Sequence, residues 1–375
     1  MGKILFLKIE NAKRSALRKE IILQRKILKY FFREFIMARF IELAELFEEL
    51  EKITSHKEIV KKIANFCYEL ERNEVKDMQY LFLGGIGPAF ESTTLGVGDK
   101  LACKAIAEAY GAPEEEVKKR YSSRERGDLG DVAFELNKGE GISLTIEDIF
   151  IRLRELKRVS GDESQEEKIR ILSEILQRAN PTEGKYILRI IIGKLRLGFG
   201  DQFLLEAFSI AFLGDKKYLG KIKESYSVCT DIGELAEAFA EYGCKALGNF
   251  SIELGRPIKL MLAQRVENFE ELEERVLGKK AAEEKYDGER VQIHINGNEI
   301  QAFSRRLENI TSQYPDLIEA IRNSVLVNKI VLDGEIVAYI EGKKRNEKME
   351  EFYSFQKLMQ RRRKYKIEKY MELCP

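Results

Sequence analysis

The sequence predicts a multidomain protein in which an all-α domain is followed by the first part of an α+β domain. Three observations carry this. From Met37 to about residue 245, nearly every segment repeats its apolar residues at helical spacing, and proline hardly interrupts them. At Leu254-Gly255-Arg256-Pro257-Ile258-Lys259 a breaker-rich crossing ends that pattern. Beyond it the period becomes two. Val291, Ile293 and Ile295 alternate with polar residues, Asn296-Gly297 marks a hairpin turn, and 300–304 reads as the return strand. The stretch 329–340, rich in Val and Ile, makes another strand, so the second domain is expected to be mainly antiparallel. The expected boundaries are a basic extension over 1–36, a helical domain over 37–250 and the α+β part over 251–375.

Within the helical part, Phe40, Leu43, Phe47 and Leu50 form one apolar face, with Glu opposite. Ser55 and Glu58 predict a capping box for a second helix whose inner face is Ile59, Ile63, Phe66 and Leu70. An internal echo follows. Leu95-Gly96-Val97-Gly98-Asp99-Lys100 and Leu197-Gly198-Phe199-Gly200-Asp201-Gln202 each open a helix, which suggests a duplicated helix–turn–helix unit. Such glycines let backbone approach a ligand closely, and the helix start offers free N–H groups to a phosphate. Lys100, Lys194 and Arg196 add positive charge nearby. The plainer reading is a tight helical hairpin in which glycine serves packing alone.

Composition narrows the class. The chain has 375 residues, 44% of them hydrophobic, and its 64 basic and 63 acidic side chains leave a formal charge of +1. Net charge therefore decides nothing about nucleic acid, and any DNA-binding face must concentrate its cations locally. Cys67, Cys103, Cys229, Cys244 and Cys374 form no CxxC pair, and His56 and His294 are the two histidines, so neither a zinc site nor a disulfide framework is expected. No apolar run of about 18 residues occurs, so no membrane span is expected, and the N-terminus does not read as a secretory signal. A reduced, intracellular (cytoplasmic) protein is the expectation.

Glu283-Glu284-Lys285-Tyr286-Asp287-Gly288-Glu289-Arg290 sits where a loop enters the first strand. Alone, K-x-D-G is a weak signal and reads equally as a charged turn. Three neighbours raise it: acidic Glu283 two residues before the lysine, Phe303-Ser304-Arg305-Arg306 after the hairpin, and Leu332-Asp333-Gly334-Glu335 in a later strand. In order and spacing this set resembles the nucleotidyltransferase superfamily of DNA ligases, RNA ligases and mRNA capping enzymes. The large helical region before the lysine narrows the resemblance to ATP-dependent DNA ligases of the archaeal and eukaryotic replicative type. Further likenesses are Gly127-Asp128-Leu129-Gly130, the run from Ile190 to Gly198, and Pro257-Ile258-Lys259-Leu260-Met261-Leu262-Ala263. The resemblance covers about residue 37 to the end.

The resemblance implies a mechanism and roles. The Lys285 amine would attack the α-phosphate of ATP and expel pyrophosphate, leaving Lys–AMP. Only the neutral amine is nucleophilic, and nearby positive charge favours it. Glu283 would read adenine, Arg290 and Arg305 would hold ribose and phosphate, and Glu335 would bind ribose or a water linked to Mg²⁺ or another divalent metal. Gly288 would admit the nucleotide, and Asp287 would shape the pocket. Arg306 and Asp333 read as a surface charge and a turn residue. The helical domain would grip a nicked duplex through phosphates at Gly96, Gly98, Lys100, Lys194, Arg196, Gly198 and Gly200. The rivals are an RNA ligase and a nicked-DNA-binding module without activity.

The resemblance also implies later motifs and a C-terminal OB domain that do not occur before Pro375, so the printed chain is expected to be C-terminally truncated, or completed by a partner chain. Gln356-Lys357-Leu358 and the basic run 361–364 read as a DNA contact or a solvated helix face. In the N-terminal extension, Gln24, Ile27, Tyr30 and Phe31 fit a sliding-clamp-binding box, in which one aliphatic and two aromatic side chains enter an apolar pocket.

Overall fold

The computed structural model describes residues 38–91, 95–123, 127–160, 164–261, 263–338 and 352–360. The expected clamp-binding residues Gln24, Ile27, Tyr30 and Phe31 lie outside them, as does the run 361–364. The described residues bury two separate apolar clusters, one spanning Phe40 to Ala246 and one spanning Val291 to Leu358.

The first cluster is built from helices in two sets of six. The first set is α1 (Phe40–Leu50), α2 (His56–Glu69), α3 (Arg72–Phe82), α4 (Asp99–Tyr110), α5 (Glu114–Ser122) and α6 (Leu129–Leu136). The second is α7 (Ile146–Arg158), α8 (Ser164–Arg178), α9 (Pro181–Ile191), α10 (Asp201–Ala211), α11 (Leu219–Cys229) and α12 (Ile232–Tyr242). The expected duplication therefore extends well beyond the two glycine turns. Five helices of each set pack on the other set in reciprocal fashion: α2 on α10 and α8 on α4, α3 on α12 and α9 on α6, α1 on α9 and α7 on α3. The two repeats are intertwined about a pseudo-two-fold axis. Helix α9 is buried on nearly every side, and α3 is buried along Glu74, Val75 and the run Met78–Phe82.

Equivalent residues keep equivalent geometry. Gly84 and Gly193 end α3 and α9 in the left-handed region, at φ +72° and +70°. Both helices close with the same bonds: Gly84 N–H donates to Leu81 O and Gly85 N–H to Tyr80 O, as Gly193 N–H does to Ile190 O and Lys194 N–H to Arg189 O. Asp128 and Asp231 cap α6 and α12, each side chain accepting two backbone N–H bonds.

One local expectation needs correction. Ser55 does precede α2, but its side chain makes no capping bond; its carbonyl instead accepts from Glu58 and Ile59 N–H.

After the helices the chain crosses over residues 247–268 to the short helix α13 (Phe269–Arg275). Then come β1 (Glu289–Asn296), β2 (Glu299–Ser304), helix α14 (Pro315–Ser324) and β3 (Lys329–Ile336). The sheet order is β2-β1-β3, antiparallel throughout. One face of β1 carries Val291, Ile293 and Ile295 into the second core, with Tyr314 and Ile318. The polar face is buried too, because the crossing lies over it. Ile258 N–H donates to Gln292 Oε1 (2.6 Å), and Gly255 N–H donates to His294 Nδ1 (3.0 Å). Nδ1 is thus an acceptor, so Nε2 carries the proton toward Gln292 Oε1 at 2.9 Å. Burial holds the His294 pKa below its ordinary value. No helix among the described residues is long and apolar enough to cross a membrane.

Candidate active site and nucleic-acid interface

The antiparallel register brings the expected nucleotide residues together at one end of the sheet. Lys285 and Glu283 lie in the exposed loop entering β1. Arg290, on β1, stands directly opposite Glu335 on β3. Val291 pairs with Ser304, the last residue of β2, so Arg305 follows immediately at the same end. Arg305, Arg306 and Glu335 are all exposed. A lysine, two arginines and a carboxylate thus share one rim, although they lie far apart in sequence.

The contacts within this rim revise one role and add to two others. Asp333 is not a turn residue. It lies in β3 and binds the Arg290 guanidinium with two hydrogen bonds of 3.1 and 2.7 Å. Those bonds hold Arg290 above its ordinary pKa and fix its planar fork. Gly288 answers first to the protein: an added Cβ would lie 2.2 Å from the Ile336 carbonyl oxygen. Its lack of a side chain lets β1 start against the end of β3. Asp287 accepts the Phe355 N–H at 3.1 Å, and Tyr286 meets Phe352 edge-to-face at 5.9 Å. The 352–358 segment is therefore bound to the lysine loop, with Leu358 buried in the second core and Lys357 Nζ 3.6 Å from the Tyr353 ring centre. Leu358 thus turns inward, whereas Gln356 is exposed. Buried Glu289 accepts the Tyr314 hydroxyl at 2.5 Å, anchoring the first residue of β1. No sequence motif announced that pair.

At the helical end, the two glycine turns have matching backbones. Gly96 and Gly198 are left-handed, at φ +65° and +72°, while Gly98 and Gly200 are the extended N-caps of α4 and α10. A Cβ added at Gly98, Gly198 or Gly200 would meet nothing within 4 Å. Open space, rather than packing, faces these three glycines. A groove of about 460 Å³ runs along the first turn, lined by Gly84, Gly85, Gly96, Gly98 and Gly193 among others. Around it Lys100 is exposed, and Lys194 Nζ lies 3.8 Å from Asp99 Oδ2. Arg196 is partly engaged: it is left-handed at φ +60°, donates to Gly127 O at 2.7 Å, and lies 3.4 Å from Asp128 Oδ2.

Comparison with known proteins decides the family. Residues 39–209 match the model of the DNA ligase N terminus, and residues 260–375 match that of the ATP dependent DNA ligase domain. The chain belongs to the ATP-dependent DNA ligase family. It is 70% identical over 339 residues to DNA ligase 1 of Methanosarcina acetivorans, covering 90% of this chain and 58% of that protein. Against DNA ligase 1 of Methanosarcina barkeri it is 72% identical over 306 residues, 82% of this chain and 55% of the relative. A probable DNA ligase of Dictyoglomus thermophilum is 37% identical over 334 residues, 89% of this chain and 56% of its own length. The chain thus spans between half and three fifths of the relatives it matches.

For a ligase of this family a divalent cation is implied, and the donor set fits. Glu335 offers hard carboxylate oxygens on the rim beside Arg290, whereas Asp333 is taken up by the arginine. Mg²⁺ in phosphoryl-transfer sites needs only one or two carboxylates, with substrate phosphates and water completing its shell. Among the described residues no cluster of three acidic, His or Cys side chains forms a closed metal cage.

Proposed function

We propose that the chain forms the duplex-gripping and adenylate-accepting portion of an ATP-dependent DNA ligase, which joins a 5′-phosphate to a 3′-hydroxyl in nicked DNA. The observation that carries this reading is the convergence of Lys285, Arg290, Arg305 and Glu335 on one end of the sheet. The Lys285 amine forms a bond to the α-phosphorus of ATP as the bond to pyrophosphate breaks, and the amine proton leaves to solvent. The phosphoramidate then passes AMP to the 5′-phosphate, and the 3′-hydroxyl displaces AMP. Arg290, held by Asp333, and Arg305 offset charge on the transferring phosphate without reorganising. Glu283 contacts the base, and Glu335 the ribose or the cation. A bound Mg²⁺ would supply Lewis-acid stabilisation of phosphate charge.

Two open, backbone-lined turns related by a pseudo-two-fold suit a duplex, whose strands are themselves related by two-fold axes. Contacts to phosphates rather than bases are what a nick sealer needs, because nicks occur in any sequence. A sliding clamp is a second proposed partner, through the Gln24–Ile27–Tyr30–Phe31 box. Equal retention of the chain and its Tyr30→Ala/Phe31→Ala variant on immobilised clamp would end that proposal.

The catalytic reading is tested with α-labelled ATP and Mg²⁺, using this chain and a version carried on to the length of its relatives. Acid-labile label on Lys285, lost in Lys285→Ala, is the expected result in the longer protein. Label that persists in Lys285→Ala, or is absent from both wild-type lengths, would overturn it.

A further inference from the structure

The pseudo-two-fold exposes a substitution of parts. In the second repeat, Gly193 is followed by Lys194-Leu195-Arg196. These cations face acidic groups of the first repeat, Asp99 and Asp128. At the equivalent positions after Gly84 the first repeat has Gly85-Ile86-Gly87, with no charge. Yet the acidic groups that would face them are present, as Asp201 and Asp231. For Asp201 the missing cation comes from elsewhere. Lys259, in the crossing to the sheet, pairs with Asp201, and Arg256 forks onto Glu234 at 2.8 and 3.2 Å.

The match extends to a third group. Asp99 accepts the hydroxyl of Tyr121, from the fifth helix of its repeat, at 2.7 Å. Tyr226, from the fifth helix of the other repeat, likewise stands beside Asp201, and burial together with that carboxylate raises its pKa. Lys259 Nζ lies 4.3 Å from the Tyr226 ring centre. On both sides of the axis, then, a carboxylate is flanked by a phenol from its own repeat and an ammonium from outside it. Lys259 is held in place by its backbone: its N–H donates to Ser227 O at 2.8 Å, and Thr230 Oγ1 donates to Pro257 O at 2.7 Å. Its side chain remains 34% exposed. An ammonium has three donors, and one carboxylate leaves others free.

We propose that Lys259 contacts a backbone phosphodiester of the bound duplex, as the counterpart of Lys194 across the pseudo-two-fold axis. This rests on the reading of the helical domain as a duplex grip. The contact would also position the sheet. Residues 255–259 hold β1 through Gln292 and His294, so a phosphate fixed at Lys259 sets the strand that follows Lys285 relative to the DNA.

The test is the salt dependence of nicked-duplex binding, measured for this chain, Lys259→Met, Lys259→Arg and Lys259→Met/Asp201→Asn. Loss of one phosphate contact makes the log–log slope shallower by about one, a roughly threefold difference in affinity loss between 50 and 200 mM salt. We expect that change in Lys259→Met and in the double variant, with Lys259→Arg keeping the wild-type slope. An unchanged slope in Lys259→Met, with wild-type binding intact, overturns the contact alone. So does a double variant that regains wild-type behaviour, because Lys259 would then merely offset Asp201. Failure of the wild-type chain to bind nicked duplex overturns the duplex reading, and this contact with it.

Discussion

Where the second repeat sets Arg189 against Asp128, the first sets Tyr80 against Asp231. Arg189 is buried among carboxylates, bonding Glu51, Asp128 and Asp131, and Lys185 joins the same group at Glu51 and Asp131. Burial pulls its guanidinium down to about 10. Tyr80 makes one neutral donation to Asp231, at 2.7 Å. The packing is nonetheless equivalent. A Cβ added at Gly130 would lie 2.6 Å from Lys185 O, and one at Gly233 would lie 2.8 Å from Lys76 O. Helix α6 docks on α9, and α12 on α3, through a glycine pressed against backbone. Close approach therefore sets the shared geometry, and the charges laid over it were free to diverge.

That view predicts unequal costs for equivalent substitutions. Arg189→Met strands the buried Asp128 and the half-buried Glu51 and Asp131, and the expected loss is about 3 kcal/mol of folding stability. Lys185 and Arg196 stay near those groups and keep the loss from being larger. Tyr80→Phe removes one hydrogen bond to a charged acceptor that keeps its two backbone donors, and should cost about 1.5 kcal/mol. Urea unfolding at pH 7 reads both. Equal losses would mean that the ion network adds nothing beyond a single hydrogen bond.

Legibility in the sequence followed the range of the interactions. The faces of α1 and α2, the hairpin at Asn296-Gly297 and the glycine turns depend on residues close in sequence, and were readable as periodicity or turn chemistry. The full six-helix duplication was not, because outside the turns the repeats retain geometry rather than residues: Tyr80 stands for Arg189, and Gly85 for Lys194. The lysine loop was legible as a motif, whereas the partners that fix it were not. Asp333 reaches Arg290 only through the β1–β3 register, and Asp287 and Phe355 meet across 68 residues of sequence. Gln292 and His294 are the polar positions of an alternating strand, and they are buried because the crossing, distant in sequence, covers them.

The smallest expected effects differ in sign. Glu74 and Glu183 are equivalent, both buried and each the third residue of its helix, bonding back to the N-cap N–H. Glu74 uses both oxygens on backbone donors, Ala38 N–H at 2.6 Å and Glu71 N–H at 3.2 Å. Glu74→Gln turns one acceptor into a donor facing an N–H, and should cost about 1 kcal/mol. Glu183 bonds the Asn180 N–H at 2.9 Å. Burial raises its pKa, opposed by that N–H and by the charge of Arg39. A carboxyl whose folded pKa is raised contributes stability below the ordinary carboxylate value and loses it as pH rises through the folded pKa. Glu183→Gln keeps an acceptor for Asn180 and carries no charge. It should be more stable than wild type at pH 7, and the gain should fade as pH falls below the ordinary carboxylate value. Denaturant midpoints across pH 4–7 measure both variants, and a loss at pH 7 in Glu183→Gln equal to that in Glu74→Gln would show that the two capping carboxylates share one electrostatic setting after all.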